Sequence, residues 1–211
     1  SLGLMSGTSL DGIDVSIIKS DGEQYLEIID DLYLKYDDQL KLKLKKTIDS
    51  FISKDQLAKT SKEIDKLEKE LTLVHANACK LITEKNKNIK IDLIGFHGQT
   101  ILHKPEKGYS IQIGDSKLLS KITNTTIISN FRENDILNGG QGAPLTPIYH
   151  QVILARIKSK TPSAVINIGG ISNITYIDKS NKVVGFDIGP GNCLINEWVN
   201  TKAKKEFDKD G

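Results

Sequence analysis

Arginine is nearly absent from this 211-residue chain: Arg132 and Arg156 stand among 29 basic residues, and all the others are lysines. A lysine is a flexible point charge and a poor bidentate reader of base edges. The 27 acidic residues bring the formal net charge to +2, with both signs spread along the whole chain. That balance argues against a nucleic-acid partner and against a membrane-surface partner. Cysteine is scarce too. Cys79 and Cys193 lie far apart and outside any Cys-x-x-Cys pattern, which reads as buried thiols in a reducing compartment rather than a structural disulfide. No apolar run approaches the roughly 20 residues that span a bilayer, and the first residues lack the basic-then-apolar order of a secretory signal. A cytoplasmic protein is expected. Its 38% hydrophobic and 27% charged residues suit a globular chain long enough to bury a core.

What is present is an ordered alternation of strands and helices. Residues 2–5, 13–18 and 25–34 read as a three-stranded meander. Leu40, Leu44, Ile48, Phe51 and Ile52 recur at helical spacing behind Asp37 and Asp38, with Leu42 off the stripe. From Thr60 a longer amphipathic helix is predicted on Ile64, Leu67, Leu71, Val74, Ala78 and Leu81, with Thr60 and Glu63 as a capping box. Strands follow at 91–96, 109–113 and 125–129, a short helix at 117–122, and a helix at 144–157 opened by Pro144 and Pro147. The opening pattern then repeats: strand 164–168, a polar Gly169–Ser172 turn, and strands 174–177 and 183–186, with a last helix from near Asn192. Gly7-Thr8-Ser9 and Gly170-Ile171-Ser172 hold equivalent places in two similar meanders, which is a duplication signal.

Four segments carry chemistry. In "SGTSLDG", Ser6 to Gly12, small residues between strands leave backbone N–H groups and the Thr8 and Ser9 hydroxyls free to cradle phosphate oxygens. Asp11 or Asp14 there suits Mg²⁺ held through waters. An ordinary hairpin turn is the alternative, and no Walker-type Gly-Lys-Ser/Thr follows. In "GFDIGPGN", Gly185 to Asn192, Asp187 falls at a predicted strand end before a helix, fit either for general-base work or for capping that helix. "NFRENDILNGGQGAPL", residues 130–145, reads as a loop able to wrap a polar small molecule, with Arg132 suited to a carboxylate. "FHGQT" adds His97 and Gln99 just past a strand end. His97 and His103 have no metal-ligand spacing, so zinc is not expected.

Taken in order, "GLMSGTSLDGID", "GFHGQT", "FREND…GGQGAPL", "NIGGISNIT" and "GFDIGPGN" resemble the anhydro-N-acetylmuramic acid kinases, members of the actin-like, sugar kinase and heat-shock chaperone ATPase superfamily. The resemblance covers the whole chain. It implies an α/β, actin-like (ribonuclease H-like) fold, with a complete N-terminal lobe over residues 1–160 and the start of a second lobe over 161–211. It implies an ATP- and Mg²⁺-dependent enzyme of peptidoglycan recycling that opens 1,6-anhydro-N-acetylmuramic acid with water and phosphorylates its 6-oxygen. On that basis Gly7, Thr8, Ser9, Leu10, Asp11, Gly12, Ile13 and Asp14 form the first phosphate loop, with Asp11 the candidate Mg²⁺ residue through water. Gly169, Gly170, Ser172 and Asn173 form the second loop, and Asp187 activates the water. His97, Gln99, Arg132 and Gln141 line the sugar. A homodimer is also implied.

The chain departs from the family pattern in Asn130, Ile188 and Asn196, where that pattern has Asp, Thr and Asp. It is also shorter than the family, so the expectation is a fragment or a truncated product that binds ATP poorly and turns over little by itself. A catalytically silent sugar-binding lobe and an actin-like ATPase module are the competing readings.

Overall fold

A computed structural model describes residues 1–23, 25–56, 61–205 and 207–208. They form two compact units, Ser1–Gly142 and Ala143–Gly211. The first opens on the expected meander: β1 (Leu2–Ser6), β2 (Gly12–Ser20) and β3 (Leu26–Lys35), antiparallel throughout. Leu2, Leu4 and Ser6 face inward by the two-residue period of a strand, as do Ile13, Val15 and Ile17 of β2.

Helix α1 (Asp38–Ser50) starts where the Asp37 carboxylate accepts from the Leu40 N–H at 2.8 Å. It buries Leu40 and Leu44 while Leu42 stays exposed. Asp37→Ala removes this cap and is expected to cost about 1 kcal/mol of unfolding free energy in a urea titration. Helix α2 (Ser61–Lys85) carries the long apolar stripe; its proposed cap at Thr60 lies outside the described residues. Ile64, Leu67, Leu71 and Ala78 are buried as expected, but the stripe closes on Ile82 and leaves Leu81 exposed. A 3.6-residue period returns to the azimuth of residue 64 five turns later, at residue 82.

Strand β4 (Leu93–Lys104) runs eight residues beyond the expected end at 96. Its first half lies between β1 and β6 (Thr126–Ser129), parallel to both; its second half pairs antiparallel with β5 (Tyr109–Ile113). Helix α3 (Ser116–Thr123) links β5 to β6, and a short α4 (Glu133–Leu137) forms inside the segment expected to be all loop. The mixed sheet has the order β3-β2-β1-β4-β5, with β6 also on β4. The core gathers between this sheet and the helices, with Leu71, Ile82, Leu119 and Phe96 almost fully enclosed.

The second unit begins earlier than residue 161. Helix α5 (Pro147–Arg156) packs on the sheet of β7 (Ser163–Ile168), β8 (Ile171–Ile177) and β9 (Val183–Pro190), so it belongs to that unit and the boundary lies at Gly142. Pro147 takes the first turn of α5 and Pro144 precedes the helix. The three strands are antiparallel in sequence order, repeating β1-β2-β3. A Cβ on Gly185 would lie 2.4 Å from the Pro147 ring, so glycine there permits the helix to approach β9. Helix α6 (Cys193–Ala203) closes the unit. Cys79 is buried, and burial pushes its thiol up to about 12; Cys193 is exposed, contrary to the expectation that both are buried, as α6 buries none of its residues. The α/β class and the repetition of the meander are present, and no described helix is long and apolar enough to cross a membrane.

Candidate functional site

The first turn is held from below. Ser6 Oγ donates to Gln99 Oε1 at 2.5 Å, and the Tyr36 hydroxyl lies 2.5 Å from the same Ser6 oxygen. Since the single Ser6 proton is used on Gln99, Tyr36 is the donor to Ser6, and burial raises the Tyr36 pKa and keeps that proton in place. Gln99 Nε2 donates to the Gly7 carbonyl at 3.1 Å and to Thr100 O at 3.4 Å. Ser6, Tyr36 and Gln99 are each at most 2% exposed. This corrects the expectation for Gln99: its amide is spent inside the fold, where it holds the turn and does not line an open surface.

The placement of Gln99 depends on a bulge. Leu4 pairs with Phe96 and Ser6 with Gln99, so β4 uses one residue more than β1 between these pairs. Gly98 takes the extra position at φ +70, and a Cβ there would meet the Ile113 carbonyl at 2.4 Å. Gln99→Leu leaves the Ser6 hydroxyl and the Gly7 carbonyl without this partner. We expect a loss of about 1–3 kcal/mol in urea unfolding, together with weaker retention of any anion on the turn.

Above that base Leu10 adopts φ 55 with its side chain buried, and the Leu10 N–H donates to Gly7 O at 3.4 Å. Ser9 Oγ donates to the Asp11 carboxylate, and the Asp11 carbonyl accepts from the Tyr36 N–H at 3.0 Å. Gly12 is required by packing: a Cβ would lie 2.4 Å from Leu34 O. Ile13 is fully buried core, so of the residues expected in this loop it supports from within. Thr8, Ser9, Asp11 and Asp14 are exposed. Asp14 is raised above the usual carboxylate range, first by partial desolvation and then by the charge of Asp11, a local excess of negative charge that suits a cation.

His97, buried beside the bulge, places Nδ1 2.7 Å from Gly98 O and accepts at Nε2 from Arg132 Nε at 3.0 Å. Burial, then the Arg132 charge, lower its pKa to about 4. Arg132 Nη1 donates to Gly142 O at 2.6 Å. The segment is self-bonded: the Asp135 carboxylate accepts from the Gly142 N–H at 2.6 Å, and the Gly140 N–H donates to Asp135 O at 2.8 Å. Gln141 is exposed. His97 and Arg132 are thus brought together, with Gln141 on the same loop. Sequence reasoning missed Tyr36, and it missed His75, whose fully buried ring stacks edge-on to Phe96 at 5.0 Å. Neither lies in a motif, so no local signal marks them.

In the second unit Ile171 and Ser172 already belong to β8, which leaves Gly169 and Gly170 as the turn. The segment after β9 folds back onto it: the Gly191 N–H donates to Gly170 O and the Asn192 N–H to Gly169 O, both at 2.9 Å. A Cβ on Gly191 would lie 2.2 Å from Gly169 O. Asp187 lies within β9, exposed and in register with Asn173 of β8. It is five residues before Asn192, the cap position of α6, so the helix-capping alternative is removed. Asn173 Oδ1 is buried with no hydrogen-bond partner among the described residues.

Known proteins are similar over the whole chain. The protein from Pelagibacter ubique (strain HTCC1062) named anhydro-N-acetylmuramic acid kinase is 48% identical over 213 residues, which are 100% of this chain and 56% of that one. The one of the same name from Agrobacterium fabrum is 40% identical over 214 residues, 100% of this chain and 57% of its own length. The chain therefore spans about half the length of the curated relatives it matches. Among solved structures, a Ppx/GppA phosphatase of Aquifex aeolicus is 13% identical at a TM-score of 0.47, covering 93% of this chain and 54% of that one, a likeness too loose to carry an argument. The sequence profile of one family, described as anhydro-N-acetylmuramic acid kinase, extends over residues 1–211, and the chain belongs to that family.

Proposed function

We propose that this chain supplies the phosphate turns, the sugar-recognition loop and the water-activating carboxylate of a kinase that opens 1,6-anhydro-N-acetylmuramic acid and phosphorylates its 6-oxygen with ATP. The observation that carries the reading is the repeat. Each unit has an antiparallel meander whose first turn is built of small residues and tied down by a neighbouring segment, Gln99 in one case and Gly191–Asn192 in the other. Turns of this kind present backbone N–H groups to phosphate oxygens.

In the reaction Asp187 takes a proton from water, the water oxygen bonds to the anomeric carbon, and the bond from that carbon to the 6-oxygen breaks. The 6-oxygen then bonds to the γ-phosphorus as the bond to ADP breaks, and the proton held on Asp187 returns to solvent. Asp187 is exposed within β9, so water and substrate can reach its carboxylate, as a general base requires. The residues also fit Mg²⁺. Asp11 and Asp14 give paired negative charge, yet among the described residues no three His, Cys, Asp or Glu are grouped so as to hold a metal, so its other ligands would be waters and phosphate oxygens. When bound, the ion would neutralise charge on the transferring phosphoryl group.

Calorimetry with the anhydro-sugar and with MgATP separately, followed by mass spectrometry of the mixture for a sugar 6-phosphate, tests the reading. Sugar binding with slow phosphorylation is expected. Sugar binding without any ATP affinity would leave a silent sugar-binding lobe, and binding of neither would overturn both.

A further inference from the structure

The sheet of the second unit is covered on one side only. Residues opposite one another in register point to the same face, so Ala164, Tyr176 and Val184 form one row across β7, β8 and β9, and Ile166, Ile174 and Phe186 form the next. Neither row contains a charge, and Ile166 is 58% and Phe186 46% exposed. The opposite face is packed: Thr175 is fully buried, its Oγ1 lies 2.8 Å from His150 Nδ1 of α5, and Gly185 meets Pro147. A contiguous exposed apolar surface on a globular unit marks an interaction site.

The first unit shows what finishes such a meander. There the helix after the third strand, α1, fully buries Leu40 and Leu44. Helix α2 packs on α1, β2 and β3, and β4 pairs in parallel with the outer edge of β1, Leu2 with Ile94 and Leu4 with Phe96. In the second unit α6 holds the place of α1, directly after β9, yet it buries none of its residues, and Trp198 is 65% exposed. Among the described residues no strand pairs with the outer edge of β7. A strand edge with unpaired N–H and C=O groups beside an apolar face is a template for a further segment.

We infer that the bare face of this sheet and the outer edge of β7 form a docking surface for a polypeptide segment of helix-then-strand form, which does here what α2 and β4 do in the first unit. The helix lays a charge-free apolar stripe across the Ala164 and Ile166 rows, and the strand adds in parallel to β7. The length comparison names the source. The matched stretch is 56% of the Pelagibacter ubique relative, and the other 44% of that protein has no counterpart in these 211 residues. The occupant is a segment from that remainder, and it can be supplied as a separate polypeptide.

The test is co-expression of the full chain, carrying an affinity tag, with the unmatched part of the Pelagibacter ubique relative, followed by native mass spectrometry and hydrogen exchange on the purified material. A one-to-one complex is expected, in which free amides of β7, Ser163–Ile168, exchange at least about 10-fold more slowly than in the chain alone. Ile166→Asp and Phe186→Asp each put a charge on the face and should lower the yield of complex by about 10-fold or more. Ile148→Asp, on the helix that covers the other face, should leave it unchanged. All three side chains are exposed, so each variant should keep the fold of the chain alone, which a thermal melt checks.

Three results overturn the inference: no complex although both polypeptides are made, a complex that Ile166→Asp and Phe186→Asp leave intact or in which β7 exchanges as before, and a dimer of the chain alone that these two variants abolish, which assigns the face to a second copy. Should one of the two variants fail to fold, the other still separates these outcomes. The readout is association and not turnover, so the result stands apart from the kinase reading, which the binding of sugar and of MgATP decides.

Discussion

Asp187→Asn is expected to lower formation of the sugar 6-phosphate by about 10²- to 10⁴-fold, the usual span for loss of a positioned general base, while sugar affinity changes less than about threefold. The amide is nearly isosteric, keeps the oxygen that hydrogen-bonds, and cannot take a proton from water. Asp187 is exposed within β9 and no capping bond of α6 depends on it, so the fold should be untouched, which a thermal melt checks. Long incubations read by mass spectrometry extend the range over which a slow product can be measured. Retention of wild-type product formation would mean that another group activates the water.

Acidification is expected to destabilise the first unit strongly between about pH 6.5 and pH 4. His75 and His97 are both buried, and burial is the first cause that lowers each to about 4, with the His97 ring adding to the effect on His75 and the Arg132 charge to that on His97. In the unfolded chain each returns to about 6.5. Below pH 6.5 the unfolded state binds protons that the folded state refuses, so the stability present above 6.5 is lost as pH falls towards 4. The slope approaches about 1.4 kcal/mol per pH unit for each histidine. Urea titrations across this window should show nearly two protons taken up on unfolding. His75→Leu should bring that number to about one, whatever its effect on absolute stability. A flat pH profile would mean that these rings are hydrated and protonated in the fold.

Much of the architecture was legible in local pattern. The two meanders are, because alternation marks a strand by itself and the Gly-rich turns interrupt it. The long helix is legible because Ile64, Leu67 and Leu71 repeat at the helical period, and α1 because Asp37 precedes Leu40 at capping distance. The boundary near 160 was not legible, since nothing in the composition of residues 147–156 says which sheet that helix covers. That is decided by the close approach of Pro147 to Gly185, 38 residues away.

The candidate site divides along the same line. From sequence alone come the glycines and hydroxyls of the two turns, the loop that carries Arg132 and the strand that carries Asp187, because chain direction and residue type suffice to place a turn between strands. Only the tertiary structure decides what each side chain near those turns does. Gln99 and His97 are one residue apart across Gly98 in "FHGQT", and by residue type both could line a sugar. The bulge at Gly98 sends Gln99 into the interior against Ser6 and Gly7, and brings His97 against Arg132. Whether a polar side chain contacts a ligand or holds another residue depends on which groups lie within hydrogen-bond reach of it. Those groups are 35 to 93 residues away in sequence, a distance that local periodicity cannot span.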